Sequence, residues 1–435
     1  MISDIKILNP AGLQTGELFD LTEEQQRAFD MFVKEGKNVH LTGEAGTGKS
    51  YVIKAVKAAL GTRLALTAST GIAAINVGGT TLHSWSGIGA NSHVTPGMLE
   101  AIAGNSFKRQ RILGAKFLII EEVSMISADL LDAIDEILSH VRDDPSPFGG
   151  MNVMLVGDPL QLPPVIKREK GKPKPKNHFY FQSEAYFTGE FHDIKLTVNH
   201  RQGEVSRLSK FLNELRTGRL SKECIEYFQA RVDVDDDDPS TSPVHLYSTN
   251  KMADRYNLGR LKEIEEESFT YNAKDEAKKD FLKDQLDKYC TAPTELVLKK
   301  GAQVMLLKNL DLQNGLVNGA VGRVTDLDDS GVEVMFKNFP SPVVLGPEAW
   351  ELSENGEVYA RREQIPLRLA WGITIHKSQG MTLDKIYCRL DRLFEAGQGY
   401  VAISRVRTYE GLFLNSFDPD QFFANDKALE FYESF

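Results

Sequence analysis

Short apolar runs recur down this chain, and each ends abruptly in glycines, hydroxylated residues or carboxylates. Asn38-Val39-His40-Leu41 leads into Gly43, Leu64-Ala65-Leu66-Thr67-Ala68 into Ser69-Thr70-Gly71, Phe117-Leu118-Ile119-Ile120 into Glu121-Glu122, and Val153-Met154-Leu155-Val156 into Gly157-Asp158. Runs that are apolar throughout, not alternating, are the pattern of strands buried on both faces. Helical spacing lies between them: Ser50 to Leu60 carries Val52, Ile53, Val56 and Leu60 on one face. Leu21-Thr22-Glu23-Glu24-Gln25-Gln26 opens another helix, with Thr22 as N-cap and carboxylates in the first turn, where the dipole favours them. Strands alternating with helices predict an α/β fold on a doubly wound parallel sheet.

The same rhythm returns in Leu196-Thr197-Val198-Asn199-His200-Arg201-Gln202, in an amphipathic helix around Leu208 to Leu215, and in Val244 to Asn250. Between about Tyr271 and Gln364 it gives way to short β-like runs, Glu295 to Lys299, Gln303 to Leu307, Gly322 to Asp326 and Val332 to Phe336, with turns at Lys300-Gly301 and Asn318-Gly319. Buried strands resume at Leu367 to Ile375 and Leu412 to Leu414. The pattern predicts a second α/β domain interrupted by a small β-barrel.

A chain of 435 residues with 41% hydrophobic residues suits two or three domains with proper cores. It holds no apolar run near the roughly 20 residues of a membrane span, and its first residues lack a secretion-signal layout, so a cytoplasmic or nuclear protein is expected. Cys224, Cys290 and Cys388 form no C-x-x-C pair and read as packed thiols. A net charge of −10 argues against a nucleic-acid coat protein, yet Arg361 to Arg407 holds nine basic residues against four acidic ones. Local positive charge is what phosphates respond to. The surplus acid sits in Asp233 to Asp238 and Glu263 to Glu267, read as solvated, and the basic, proline-broken stretch Lys167 to Lys176 is either a solubilising or a phosphate-contacting loop.

The most specific chemistry is Gly43-Glu44-Ala45-Gly46-Thr47-Gly48-Lys49-Ser50, a G-x-x-x-x-G-K-[ST] match between a strand and a helix. Glycines let backbone N–H groups turn around phosphates, the helix N-terminus adds positive potential, Lys49 reaches the β- and γ-phosphates and Ser50 holds Mg²⁺. Glu121 and Glu122 end a strand where a nucleotidase holds the metal and orients the attacking water, and Gln161 can bond a γ-phosphate or that water. Arg201 and Arg405 are candidates to reach across a cleft and neutralise charge on the transferring phosphoryl group. Glycines and hydroxyls just past strand ends, at Ser69 to Ala74 and Gly78 to Trp85, suit a ligand on the sheet's edge.

With these stretches in hand, the chain resembles superfamily 1 DNA helicases, and within them the petite-integration-frequency family of the 5′→3′ branch. The likeness runs nearly end to end. Gly43 to Ser50 is similar to its motif I, Thr67 to Ala74 to Ia, Glu121-Glu122 to II, Gly157 to Pro164 to III, Arg201 to the motif IV finger, Thr374 to Gly380 to V, and Gln398 to Arg405 to VI; Asp129 to Val165 is the most discriminating stretch. The resemblance implies two RecA-like P-loop NTPase domains in tandem, 1A over 1–190 with a 1B wedge near 80–107, and 2A over 191–268 and 365–435. An SH3-like 2B barrel would fill 269–364. It implies Gln25 as the adenine reader, ATP and Mg²⁺ as cofactors, Gly43, Ala45, Gly46, Thr47, Gly48, Lys49, Ser50 and Gly380 around the nucleotide, and Ser50 with Glu121 on the metal. Thr70, Gly71, Thr81, His83, Thr374, His376 and Lys377 would face single-stranded DNA, with Trp85 or Phe107 as a stacking wedge or, for Trp85, a core aromatic.

By the same resemblance the chain would be an ATP-dependent DNA helicase acting on tailed or forked duplexes, DNA–RNA hybrids and G-quadruplexes, in repair, recombination or telomere maintenance. It would be a monomeric core of bacterial or phage type, lacking the long extensions of some eukaryotic relatives; a eukaryotic version would be nuclear or mitochondrial. Two residues depart from the family pattern: His200 precedes the finger where Phe is common, and Glu121 replaces an Asp. Two other readings remain open on the residues alone, a single-strand-binding ATPase switch that does not unwind and a small-molecule kinase.

Overall fold

The apolar runs become strands β1 (Val39–Gly43), β2 (Leu64–Ala68), β3 (Thr80–Thr81), β4 (Phe117–Glu121), β5 (Asn152–Val156) and β6 (His192–Leu196). They form one parallel sheet in the order β3-β2-β4-β5-β1-β6. This computed structural model describes residues 19–164, 178–198, 207–236 and 242–435, apart from 90, 279, 281, 284–285, 288–289, 291, 309, 312–315, 317, 337–338, 355–356 and 391–392. Helix α1 (Glu23–Phe29) starts at Thr22, whose hydroxyl accepts from Gln25 N–H while the Gln25 side chain accepts from Thr22 N–H. Helix α2 (Lys49–Leu60) buries Val52, Ile53, Ala55, Val56 and Leu60 on one side of the sheet. Helices α3 (Gly71–Val77) to α6 (Ser106–Gly114) follow, then α7 (Ala128–Arg142). Leu82, Trp85, Leu99, Ile102 and Ile112 join the core on the other side with α7. Trp85, 4% exposed, is a core residue and not a wedge; Phe107 is half-buried.

Four further strands, β7 (Val244–Tyr247), β18 (Gly372–Thr374), β19 (Ile386–Cys388) and β20 (Leu412–Leu414), make a second parallel sheet in the order β18-β7-β19-β20. Between β7 and β18 the chain runs through β8 to β17, all antiparallel where paired: β8 (Ser268–Asn272) with β10 (Glu295–Lys299), β9 (Lys274–Ala277) and β15 (Glu348–Glu354) on β16 (Glu357–Gln364), and a five-stranded sheet. That last sheet orders β14 (Val343–Leu345), β13 (Gly331–Phe336), β12 (Val321–Asp328), β11 (Gln303–Leu306) and β17 (Leu367–Leu369). Its closing strand β17 lies beyond the expected end of the barrel at 364, so the insertion returns to the second domain through a strand of its own. The three cysteines are free and buried. Asp236 of the acidic run bonds Lys385 at 2.8 Å, so that run is not wholly solvated.

The last helix, Asp426–Glu433, departs from its expected place with the second domain. Its Ala428 and Tyr432 sit in the first domain's core, and Phe431 stacks on Phe181 with ring centroids 4.1 Å apart. The helix is amphipathic, and the uncovered aromatic surface of Tyr180, Phe181 and Tyr186 is what its apolar side meets. The domains are joined deeper by an ion pair. Arg216, on the second-domain helix Arg207–Thr217, grips Asp158 of the loop after β5 through two bonds of 2.8 and 2.6 Å, and both side chains are fully buried. Burial pushes the Asp158 carboxyl up, and the Arg216 charge and hydrogen bonds outweigh it, holding the group below its usual range. Tyr432 lies under the same guanidinium, 3.9 Å from its ring centroid.

Breaking a buried pair from one side leaves an uncompensated charge. Arg216→Ala is therefore expected to destabilise the folded chain by about 3–5 kcal/mol in chemical denaturation, and Arg216→Met combined with Asp158→Leu is expected to recover most of that loss. A single variant with parental stability would show that the pair does not join the domains.

Candidate functional site

The carboxyl ends of β1, β4 and β5 open into a cavity of about 410 Å³ lined by Ala45, Gly46, Gly48, Lys49, Ser50, Asn76, Glu121, Glu122, Gly157, Gln161, Gly380 and Arg405. Most residues singled out for nucleotide chemistry thus meet in one place. The loop after β1 needs its glycines: Gly46 and Gly48 hold φ of +92° and +87°, and Gly48 is the N-cap of α2. Lys49 is the first residue of that helix. Its Nζ donates to the carbonyls of Gly43 (2.6 Å) and Glu44 (2.8 Å), folded back over its own loop. Burial lowers its pKa, against the raising influence of Asp158, Glu122 and Glu121. Burial likewise raises that of Glu44.

Glu121 and Glu122 take different environments although adjacent. Burial, then the neighbouring Glu122 charge, pushes the Glu121 carboxyl up to about 8, with Lys49 and a Ser50 hydrogen bond pulling the other way. The Glu121 carboxyl and the Ser50 hydroxyl it bonds at the phosphate loop's end give two oxygen donors that fit a divalent cation, and Mg²⁺ would be held by Ser50 and Glu121. Glu122 adopts a left-handed backbone (φ 53°, ψ 47°), a strained state for a side-chain-bearing residue that turns its carboxylate off the end of β4. There it accepts from Gln379 Nε2 at 3.0 Å, and the same nitrogen donates to Gln161 Oε1 at 3.2 Å. A Cβ on Gly380 would stand 3.5 Å from both Asn76 Nδ2 and Glu122 Oε1, which places Gly380 against the Glu122 carboxylate.

The expected adenine reader, Gln25, is 2% exposed and already engaged: Nε2 donates to the Thr47 carbonyl at 3.2 Å, and Oε1 serves the α1 cap. It braces the phosphate loop from below. Arg405 lines the cavity, with its Nε donating to Val401 O (2.8 Å) and one Nη to Ser404 Oγ (2.7 Å). Arg201 and His200 lie outside the described residues, as does the basic loop Lys167 to Lys176.

The residues expected at DNA lie beside this cavity, not in it. Thr70 and Gly71 follow β2, Thr81 ends β3 and precedes His83, and Thr374 ends β18 and precedes His376 and Lys377. In the first sheet β3 and β2 are the strands on one edge, and β18 is an edge strand of the second. Both sets of expected residues therefore lie at carboxyl ends of strands, the nucleotide candidates at β1, β4 and β5 and the DNA candidates at the adjoining edge. Thr70, Thr81 and Thr374 each accept from the backbone N–H three residues on, which fixes their hydroxyls at helix starts. Burial lowers the pKa of His83 and His376; Lys377 is lowered by burial and by the nearby Arg368.

A PIF1-like helicase model matches residues 20–224, and a model of the DNA helicase Pif1 2B domain matches 281–327. A protein of Bdellovibrio bacteriovorus described as ATP-dependent DNA helicase Pif1 is 33% identical over 98% of this chain and 94% of its own. This chain belongs to the PIF1-like helicase family. A Xenopus laevis relative, ATP-dependent DNA helicase PIF1, is 36% identical over 99% of the chain and 67% of its own length. The chain spans about two thirds or less of the animal and fungal PIF1 relatives it matches. The Pif1 helicase structure from Candida albicans superposes with a TM-score of 0.81 at 33% identity, covering 95% of this chain and 99% of that one. A Bacteroides Pif1 solved with ADP-AlF4 gives 0.80 at 31%, covering 95% and 96%. These likenesses support the tandem α/β architecture with a 2B insertion for this PIF1-like chain.

Residues that sequence reasoning missed are the ones that cross the PIF1-like core from one domain to the other. Tyr400, on the helix Gln398–Ile403, accepts from the Ala45 N–H of the phosphate loop at 3.3 Å. Gly397 (φ +74°) stands where a Cβ would come within 2.5 Å of the Leu160 carbonyl, so only glycine lets the two domains close here. Gln379 and the pair Arg216–Asp158 complete the set, and each partner lies far off in sequence.

The Glu121 shift has a sign that can be checked. A carboxyl raised from 4.5 to about 8 on folding binds a proton in the folded state that the unfolded chain lacks. Its stabilising share is full below 4.5 and lost as pH rises through about 8. Without metal, the denaturation midpoint is expected to fall more between pH 5 and pH 8 in the parent than in Glu121→Gln; equal slopes would refute the assignment.

Proposed function

We propose that this PIF1-like chain is an ATP-driven motor that travels 5′→3′ along single-stranded DNA and separates tailed or forked duplexes. The observation that carries the reading is the shared cleft: the Lys49 loop and the Glu121-Glu122 pair from one sheet face Arg405, Gly380 and Tyr400 from the other, with the Thr70, Thr81 and Thr374 strip alongside. A cleft between two domains can open and close with each nucleotide, and polymer contacts on both domains turn that into steps. We assign residues to about 197, which takes in β6, to domain 1A, about 268–369, which takes in β17, to 2B and the remainder to 2A, with the last helix returning to 1A. A relative's structure bound to ssDNA and another at forked duplex DNA favour the same partners here. Hybrids and G-quadruplexes rest on the resemblance alone.

In this reading Lys49 and the loop amides gather the β- and γ-phosphates, and Gln161 and Glu122 orient the attacking water. Its oxygen bonds to the γ-phosphorus as the bond to the β-phosphate oxygen breaks, and its proton passes to Glu122. Ser50 and Glu121 would hold Mg²⁺, which would supply positive charge to the phosphates. Arg405, freed from Val401, and Arg201 offset charge on the phosphoryl group. Hydrolysis releases the closed cleft.

Strand separation on matched duplexes tests the proposal. Product is expected from 5′-tailed and not 3′-tailed duplexes, and ATPase activity should rise with single-stranded DNA. Stimulation without separation on either would favour an ATPase switch. Lys49→Ala should lose hydrolysis and unwinding together with folding intact, and Arg405→Ala should lower turnover by about 10³ or more while still binding nucleotide. Single-strand affinity should fall with salt at a log–log slope of roughly 0.7 per phosphate contacted; a flat response would contradict a backbone-tracking motor.

A further inference from the structure

Gln379 is the described residue whose side chain touches both groups assigned to the attacking water. It comes from the second domain, 257 residues from Glu122 and 218 from Gln161, and is 5% exposed. Both protons of its Nε2 are committed, one to the Glu122 carboxylate and one to the Gln161 carbonyl oxygen. The opposite amide orientation would set Oε1 against a carboxylate, so the charge next door fixes which end points where. Its Oε1 is buried with no hydrogen-bond partner. Stability alone does not favour a buried amide with an orphaned acceptor; such groups gather at functional sites. The residue also sits at the end of the turn Ile375–Ser378, whose cap is Thr374 and which carries His376 and Lys377.

We propose that Gln379 is the positioning residue for hydrolysis, holding Glu122 and Gln161 at one spacing, so that the water is aligned only when the second domain is in place. The inference rests on the helicase reading of the site, and it specifies how the second domain reaches the reaction. By accepting from Gln379, the Gln161 carbonyl oxygen is occupied, and the Gln161 amide N–H₂ is left to face the γ-phosphate or the water. Glu122 keeps one oxygen for the water's proton and gives the other to Gln379. Movement at Thr374, His376 and Lys377 is transmitted through one short turn to the carboxylate.

The test uses the full chain with Gln379→Met, similar in length but without a donor, and Gln379→Glu, similar in shape but repelling Glu122. Each is expected to lower DNA-stimulated kcat by about 10–100-fold, the cost of a small misplacement of reacting groups, while KM for ATP and affinity for a single-stranded oligonucleotide stay within about threefold and thermal stability is retained. Gln161→Ala should cost less in the Gln379→Met background than in the parent, because both act on the same water. Turnover within twofold of the parent, a loss carried by KM, or full additivity would overturn the role. Glu122→Gln separates the two levels. If it is inactive while Gln379→Met is not, only this inference fails; if it remains active, the reading of the base fails and the inference with it.

Discussion

The pair Arg216–Asp158 is the constraint on which the arrangement of the site depends. Two opposite charges with no solvent contact persist only if each satisfies the other, and the bidentate geometry does so. Asp158 also accepts from Leu160 N–H at 3.1 Å, which turns the loop, and Gln161 N–H donates back to the Asp158 carbonyl at 3.0 Å. Leu160 then packs in the first core and Leu162 in the second. The guanidinium thus fixes a loop that straddles both domains, and Gln161 stands on it. From Gln161 the connection continues through Gln379 to Glu122, and on the other side through Tyr432 to the last helix.

Against that fixed joint, the nucleotide cleft is arranged to change. Lys49 is satisfied by its own loop's carbonyls, Arg405 by Val401, and the Ala45 amide by Tyr400. In the proposed function each of these bonds would exchange for a bond to phosphate at little net cost, since a hydrogen bond is replaced and not lost. Glu121 is bonded to the Ser50 hydroxyl and lies beside the Glu122 charge, with Lys49 pulling the other way.

Much of this was legible in the sequence for a physical reason. Strands buried on both faces must be apolar along their length, so β1, β2, β4 and β5 announced themselves, and the phosphate loop is local enough to be read from spacing. The polar ends of those strands gave the cavity lining. What escaped was pairing between distant residues. Nothing in Gln379's own surroundings names Glu122 as its partner, and Arg216 in a helix of ordinary amphipathic pattern looks like a surface arginine. The last helix shows an apolar side, but its sequence does not say which domain covers it. Trp85 offered two readings, and core burial under α7 decided between them.

The central claim is that nucleotide binding trades this self-satisfied cleft for contacts drawn from both domains. A crystal structure of the full chain with ADP, aluminium fluoride and Mg²⁺ measures that directly. Lys49 Nζ should have left the Gly43 and Glu44 carbonyls for phosphate oxygens, and the Arg405 guanidinium should have left Val401 for the fluoride, with Arg216 and Asp158 still paired. A bound analogue with Arg405 still on the Val401 carbonyl, and Lys49 still folded over its own loop, would contradict the account.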